Sequence, residues 1–173
     1  MTYLKYFVLG LILVLVPFRA DASLLGAKWR NPTTIVIYDA TTNPVWSHSV
    51  QKAVDDWNKS PYIHLEIVKT TSCENRKVTV CEFYNSPNGQ LTSASTEYDS
   101  NHGYFRYAHV FLLDSPNYVD FSWPVQIFDR AVCHEVGHVI GLGHNQDSDS
   151  CMGPGYSPGV HDYEDIAAIY SNQ

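Results

Sequence analysis

The chain has 173 residues, with 11 Lys and Arg against 18 Asp and Glu, and carries a formal net charge of −7. This length suits a single domain able to bury its own core. The acidic balance, without a basic run, argues against a nucleic-acid-binding protein. At the start, Lys5 stands in a short polar stretch and is followed by an apolar run from Phe7 to Val16, then Pro17 and the small-residue pattern Ala20-Asp21-Ala22. The run is too short for a comfortable membrane span, and Ala-x-Ala marks a cleavage point. Residues 1–22 therefore read as a signal peptide, and 23–173 as a secreted domain with no stable membrane insertion.

Next, Thr33 to Tyr38 reads as a strand, Val45 to Asn58 as an amphipathic helix and Ile63 to Val68 as a strand with alternating polar residues. Val78 to Tyr84 is another strand. The polar stretch from about Ser86 to Gly103 reads as a loop, leading to an aromatic and β-branched strand from Tyr104 to Leu113. Pro124 to Leu142 is a helix with Pro124 in its first turn. Gly153 to Gly159 is a loop, and Asp162 to Ser171 a closing helix. A helix between early strands demands a crossover, hence a mainly parallel, twisted sheet.

The chemistry is concentrated in residues 134–144, HEVGHVIGLGH. His134 and His138 are four apart, so a helix projects both from one face toward one metal ion. Glu135 lies off that face and can act as general base toward a metal-bound water. Gly141 lets the chain leave the helix and return with His144. Three neutral nitrogen donors and one open position point to a catalytic zinc, because structural zinc sites are normally closed by four protein ligands.

The extended motif, followed by Ser150-Cys151-Met152-Gly153-Pro154-Gly155-Tyr156, resembles the metzincin metallopeptidases, and Met152-x-Pro154-x-Tyr156 is most similar to their matrixin branch. Looser likenesses are Ala27-Lys28-Trp29 with Thr34 to Tyr38 (entry strand), Val50 to Trp57 (first helix), Gly89-Gln90-Leu91 and Ala108 to Asp114 (two strands), and Tyr163 to Tyr170 (closing helix). The resemblance implies an α+β, metzincin-like fold with a mostly parallel sheet, an active-site helix and a C-terminal helix. It implies that His134, His138 and His144 hold one catalytic Zn²⁺, that Glu135 is the catalytic base, that Met152 floors the site, and that Pro154 and Tyr156 wall a substrate pocket. The activity implied is that of a secreted zinc endopeptidase acting on peptide or protein substrates.

The chain also departs from that family. No segment fits a prodomain with a zinc-blocking cysteine, and no appended hemopexin domain is expected, so this resembles a minimal catalytic domain. His102 is followed by Gly103-Tyr104, and Thr92-Ser93-Ala94 stands where a strand histidine belongs. A second, structural zinc is therefore not expected, and His109 reads as an exposed or hydrogen-bonded histidine. Asp147, Asp149 and the C-terminal carboxylates do not match an EF-hand calcium loop and read as a solvated polar surface. Four cysteines in an exported chain suggest two disulfides, with three connectivities open. The resemblance favours Cys73 with Cys81 and Cys133 with Cys151, since the places preceding His134 and Met152 lie close in metzincins. A monomer is the expectation. Two other functions remain: a zinc-containing binding or inhibitory protein with little turnover, and a zinc hydrolase acting on something other than protein.

Overall fold

Residues 24–74, 76–83 and 90–172 are described by a computed structural model; the segment 1–22, for which a signal peptide is expected, and Tyr84 lie outside the described residues. Five strands form one sheet: β1 (Ile35–Asp39), β2 (Leu65–Lys69), β3 (Val78–Phe83), β4 (Thr92–Asp99) and β5 (Tyr104–Leu113). Their order across the sheet is β2-β1-β3-β5-β4. The first four in that order run parallel and β4 alone is antiparallel. Among the described residues, three helices, α1 (Pro44–Trp57), α2 (Val125–Val139) and α3 (Val160–Tyr170), complete the architecture.

The period-two pattern of β1 buries Ile35 and Ile37 on one face of the sheet. Val80, Val110 and Leu112 join them in the same core. Helix α1 begins where Asn43 accepts a hydrogen bond from the Val45 N–H and Pro44 presets the first turn. Its buried residues Trp46, Val50, Ala53, Val54 and Trp57 share the core with Phe128, Val132, Val136 and Val139 of α2. Each fully buried apolar side chain contributes about 1.5–3 kcal/mol. At the end of α1, the Asn58 amide donates to the Leu65 carbonyl at 2.9 Å and accepts from its N–H at 2.7 Å, joining the helix to β2.

Strand β4 corrects the sequence reading. The polar stretch from Ser86 to Gly103 is not wholly a loop, because Thr92–Asp99 pairs with β5 along its length. The strand is hard to recognise because it lies at the sheet edge, where all of its side chains are half-buried or exposed and no strong apolar alternation is imposed. Helix α2 is also shorter at its C-terminal end than the pattern suggested. It stops at Val139, and Gly141 takes a φ of +101°, a left-handed conformation that favours glycine.

The end of α2 leaves carbonyls without partners inside the helix. Trp29 donates its indole N–H to the Val139 carbonyl at 2.8 Å, and the Tyr170 hydroxyl donates to Ile140 at 2.9 Å. The two ends of the described chain thus meet on the helix that carries the histidines. Burial pushes the Tyr170 phenol up to about 12, so it remains a donor across the neutral range. Replacing it with phenylalanine strands a buried carbonyl. We expect Tyr170→Phe to lower unfolding free energy by about 1–3 kcal/mol in urea denaturation.

Candidate active site

His134 and His138 project from the last two turns of α2, and the turn at Gly141 returns His144 beside them. A side chain at Gly141 would meet the Ala27 carbonyl oxygen at 2.7 Å, so this turn needs glycine for space as well as backbone angle. The three Nε2 atoms lie 3.1 Å from one another. The His134 Nδ1 lies 2.7 Å from the Cys151 carbonyl and the His138 Nδ1 lies 2.8 Å from the Leu142 carbonyl. A carbonyl only accepts, so both Nδ1 atoms carry the proton and both Nε2 atoms present lone pairs. Two facing lone pairs cannot hydrogen-bond to each other. A shared cation makes their approach favourable, and ideal tetrahedral zinc at the usual Zn–N length would separate its nitrogens by about 3.3 Å. The donor set and spacing therefore fit zinc.

Burial lowers the His138 pKa to about 4, and Coulombic interaction with His134 and His144 acts in the same direction, against the Leu142 hydrogen bond. Glu135 is buried on the same helix and accepts a hydrogen bond from the Thr92 hydroxyl at 2.8 Å through Oε1. Burial raises its pKa, while Thr92 and the neighbouring histidines act to lower it. Oε2 has no hydrogen-bond partner among the described residues.

On the loop after His144, Met152 is almost completely buried. A Cβ placed on Gly137 would meet its sulfur at 2.1 Å, so the small residue inside the motif makes room for Met152. Disulfides join Cys133 to Cys151 and Cys73 to Cys81. The first ties the residue before His134 to the residue before Met152, and closing a loop of that size contributes about 3 kcal/mol in the chain-entropy account. Pro154 and Tyr156 both lie exposed on the following loop, with Tyr156 at 60% exposure, so neither packs in the core.

Asp162 corrects the reading of the acidic C-terminal residues as solvated. Its side chain is wholly buried and accepts from Ser150 at 2.8 Å, Asn145 at 2.9 Å and the Gly159 N–H at 2.7 Å. Burial raises its pKa and these bonds counter the rise. Ser150 also accepts from the Met152 N–H at 2.9 Å, and the Asn145 N–H reaches the Met152 carbonyl at 3.0 Å. The network thus fixes the loop joining His144 to Met152. Asp162 lies three residues after Gly159 at the start of α3, a spacing suited to its N-terminal cap. Thr92 gives no comparable sequence signal, because its role depends on pairing β4 with the correct register.

His109 donates to or accepts from Thr79 across a 2.6 Å contact, consistent with a hydrogen-bonded histidine. For the metal-free protein, the depressed His138 pKa predicts that its ring remains largely neutral at pH 5.5 and titrates near pH 4. Because the folded pKa lies below the ordinary value of 6.5, this group's contribution to stability falls as pH drops from 6.5 toward 4. Histidine ring C–H shifts in an NMR titration provide the measurement.

A sequence model described as Matrixin matches residues 34–171. No curated protein matches the chain. Among solved structures, the chain is similar to one of myroilysin with a TM-score of 0.54 and 16% identity, covering 85% of this chain and 97% of that one. A second myroilysin structure has a TM-score of 0.55 and 15% identity, covering 90% and 96% respectively. These structural likenesses establish the fold. The sequence match extends from just before β1 to just beyond α3, and by that span the chain belongs to the matrixin family of metallopeptidases.

Proposed function

We propose that this chain is a secreted zinc endopeptidase, with residues 1–22 removed as a signal peptide and 23–173 forming the catalytic domain. The observation that carries the proposal is the convergence of three Nε2 atoms 3.1 Å apart beside a buried carboxylate. His134, His138 and His144 would hold the metal. Zinc bound there supplies Lewis-acid polarisation of the scissile carbonyl and makes water a stronger acid.

Glu135 supplies the proton transfer. Its Oε2 accepts a proton from the attacking water as the water oxygen bonds to the carbonyl carbon. It then delivers that proton to the amine nitrogen as the C–N bond breaks, so the carboxylate is regenerated. The Thr92 hydroxyl holds Oε1 and leaves the other oxygen for this transfer. Substrate would extend along the outer edge of β4, the strand that carries Thr92, by β-augmentation. In this arrangement the strand that seats the peptide also orients the base. Tyr156 and Pro154, exposed on their loop, would form one wall of a side-chain pocket, and Met152 would support the histidines from below.

Hydrolysis of a quenched peptide library by the purified protein tests the proposal. Glu135→Ala and zinc chelation should each reduce cleavage by at least a hundredfold, with zinc restoring only the chelated wild type. Cleavage that survives both treatments contradicts the assignment. Thr92→Val should lower kcat about tenfold with little change in KM, whereas Thr92→Ser should retain most of the wild-type rate. Equal rates for Val and Ser would remove Thr92 from the positioning of Glu135.

A further inference from the structure

A cavity of about 850 Å³ is lined by Arg30, Arg76, Lys77 and Arg106 together with Tyr38 and Tyr107. Strand registers place Val36, Tyr38 and Tyr107 on the same face of the sheet as Thr79 and His109, opposite the buried Ile37, Val80 and Val110. The cleft thus opens on the face turned away from α1 and α2. Thr92 pairs with Leu112, five residues beyond Tyr107 on β5. At strand rise this places the cleft about 15–20 Å from the Thr92–Glu135 contact.

Its charge contrasts with that of the chain. Four of the 11 Lys and Arg line this one cavity in a protein of net charge −7. Arg106 faces Glu97 at 3.7 Å and Asp99 at 3.6 Å. Among the described residues, Arg30, Arg76 and Lys77 make no ion pair with a carboxylate. Arg30 instead lies over the Tyr104 ring and Arg76 over the Tyr38 ring, each 4.5 Å from the ring centroid. A ring contact engages the face of a guanidinium and leaves its in-plane N–H groups able to form a bidentate pair with a carboxylate.

We infer that this cleft is a second binding site, and that it recruits an acidic polypeptide segment with two or more carboxylates. Its volume is within the range of sites for sizeable ligands and exceeds the needs of a single small anion. The aromatic rings contact the apolar parts of a peptide, while the positive groups distinguish this face from the rest of an acidic surface that repels such a segment. For a protein substrate, binding here raises the local concentration of its chain near the active site. That consequence rests on the proposed peptidase activity, whereas binding itself does not.

The test measures fluorescence anisotropy of a labelled octaglutamate peptide added to the full mature chain carrying Glu135→Ala, alongside octaglutamine, inorganic phosphate and a heparin oligosaccharide at matched ionic strength. Octaglutamate should bind at least tenfold more tightly than octaglutamine, and weaken as salt rises from 50 to 300 mM. Arg30→Ser combined with Arg76→Ser should weaken that binding at least tenfold, as should the separate surface change Lys77→Glu. In the otherwise wild-type enzyme, these changes should leave cleavage of a short neutral peptide within twofold. Equal binding of the two octapeptides, insensitivity to both sets of substitutions, or tighter binding of phosphate or heparin would overturn the assignment to an acidic polypeptide. Failure of short-peptide hydrolysis in the unsubstituted enzyme would instead count against the peptidase reading.

Discussion

Three imidazole nitrogens held 3.1 Å apart impose the constraint on which the site depends. The lone pairs of His134 and His138 face each other because both Nδ1 protons are committed to backbone carbonyls. Without a cation this arrangement has no favourable contact at its centre, so the surrounding fold must hold it. Trp29 and Tyr170 satisfy the last carbonyls of α2, Gly141 turns the chain, and the Cys133–Cys151 bridge fixes the helix to the methionine loop. Packing and hydrogen bonding thereby maintain a geometry that the histidines alone would not favour. This is a form of preorganisation toward metal binding.

The second layer gives the site its asymmetry. Asp162 is buried away from solvent but makes three hydrogen bonds, which offset the cost of placing a carboxylate there. Through Ser150 and Asn145 it steadies both flanks of the loop between His144 and Met152. Thr92 performs the corresponding task for Glu135 from the opposite side, on an edge strand rather than the helix. Support for the methionine loop therefore comes from α3 and support for Glu135 from β4, while α2 itself carries both His134 and His138 and the carboxylate between them.

Residue spacing made the centre of this arrangement legible. The histidines in residues 134–144 specify their approach because helical periodicity and the glycine turn are local constraints. The core strands were legible for a similar reason, since Ile35, Ile37, Val80 and Val110 obey the two-residue repeat of a buried sheet. Strand β4 escapes a reading from periodicity because an edge strand need not bury one continuous apolar face. The loss of β4 also concealed Thr92, whose contact with Glu135 spans 43 residues. The burial of Asp162 is not legible in the sequence because charge suggests exposure unless partners are known, and two of its partners, Ser150 and Asn145, are supplied by the methionine loop.

The central claim is that the three histidines bind zinc, and zinc-edge X-ray absorption on the purified, metal-loaded protein tests it most directly. The account predicts one tightly held zinc per chain, with three imidazole nitrogens at about 2.0–2.1 Å and one further light-atom donor. Substitution of His144 should remove one imidazole contribution without introducing sulfur scattering. A sulfur-rich shell, four imidazoles, or no stoichiometric zinc in the folded protein would contradict the assigned site.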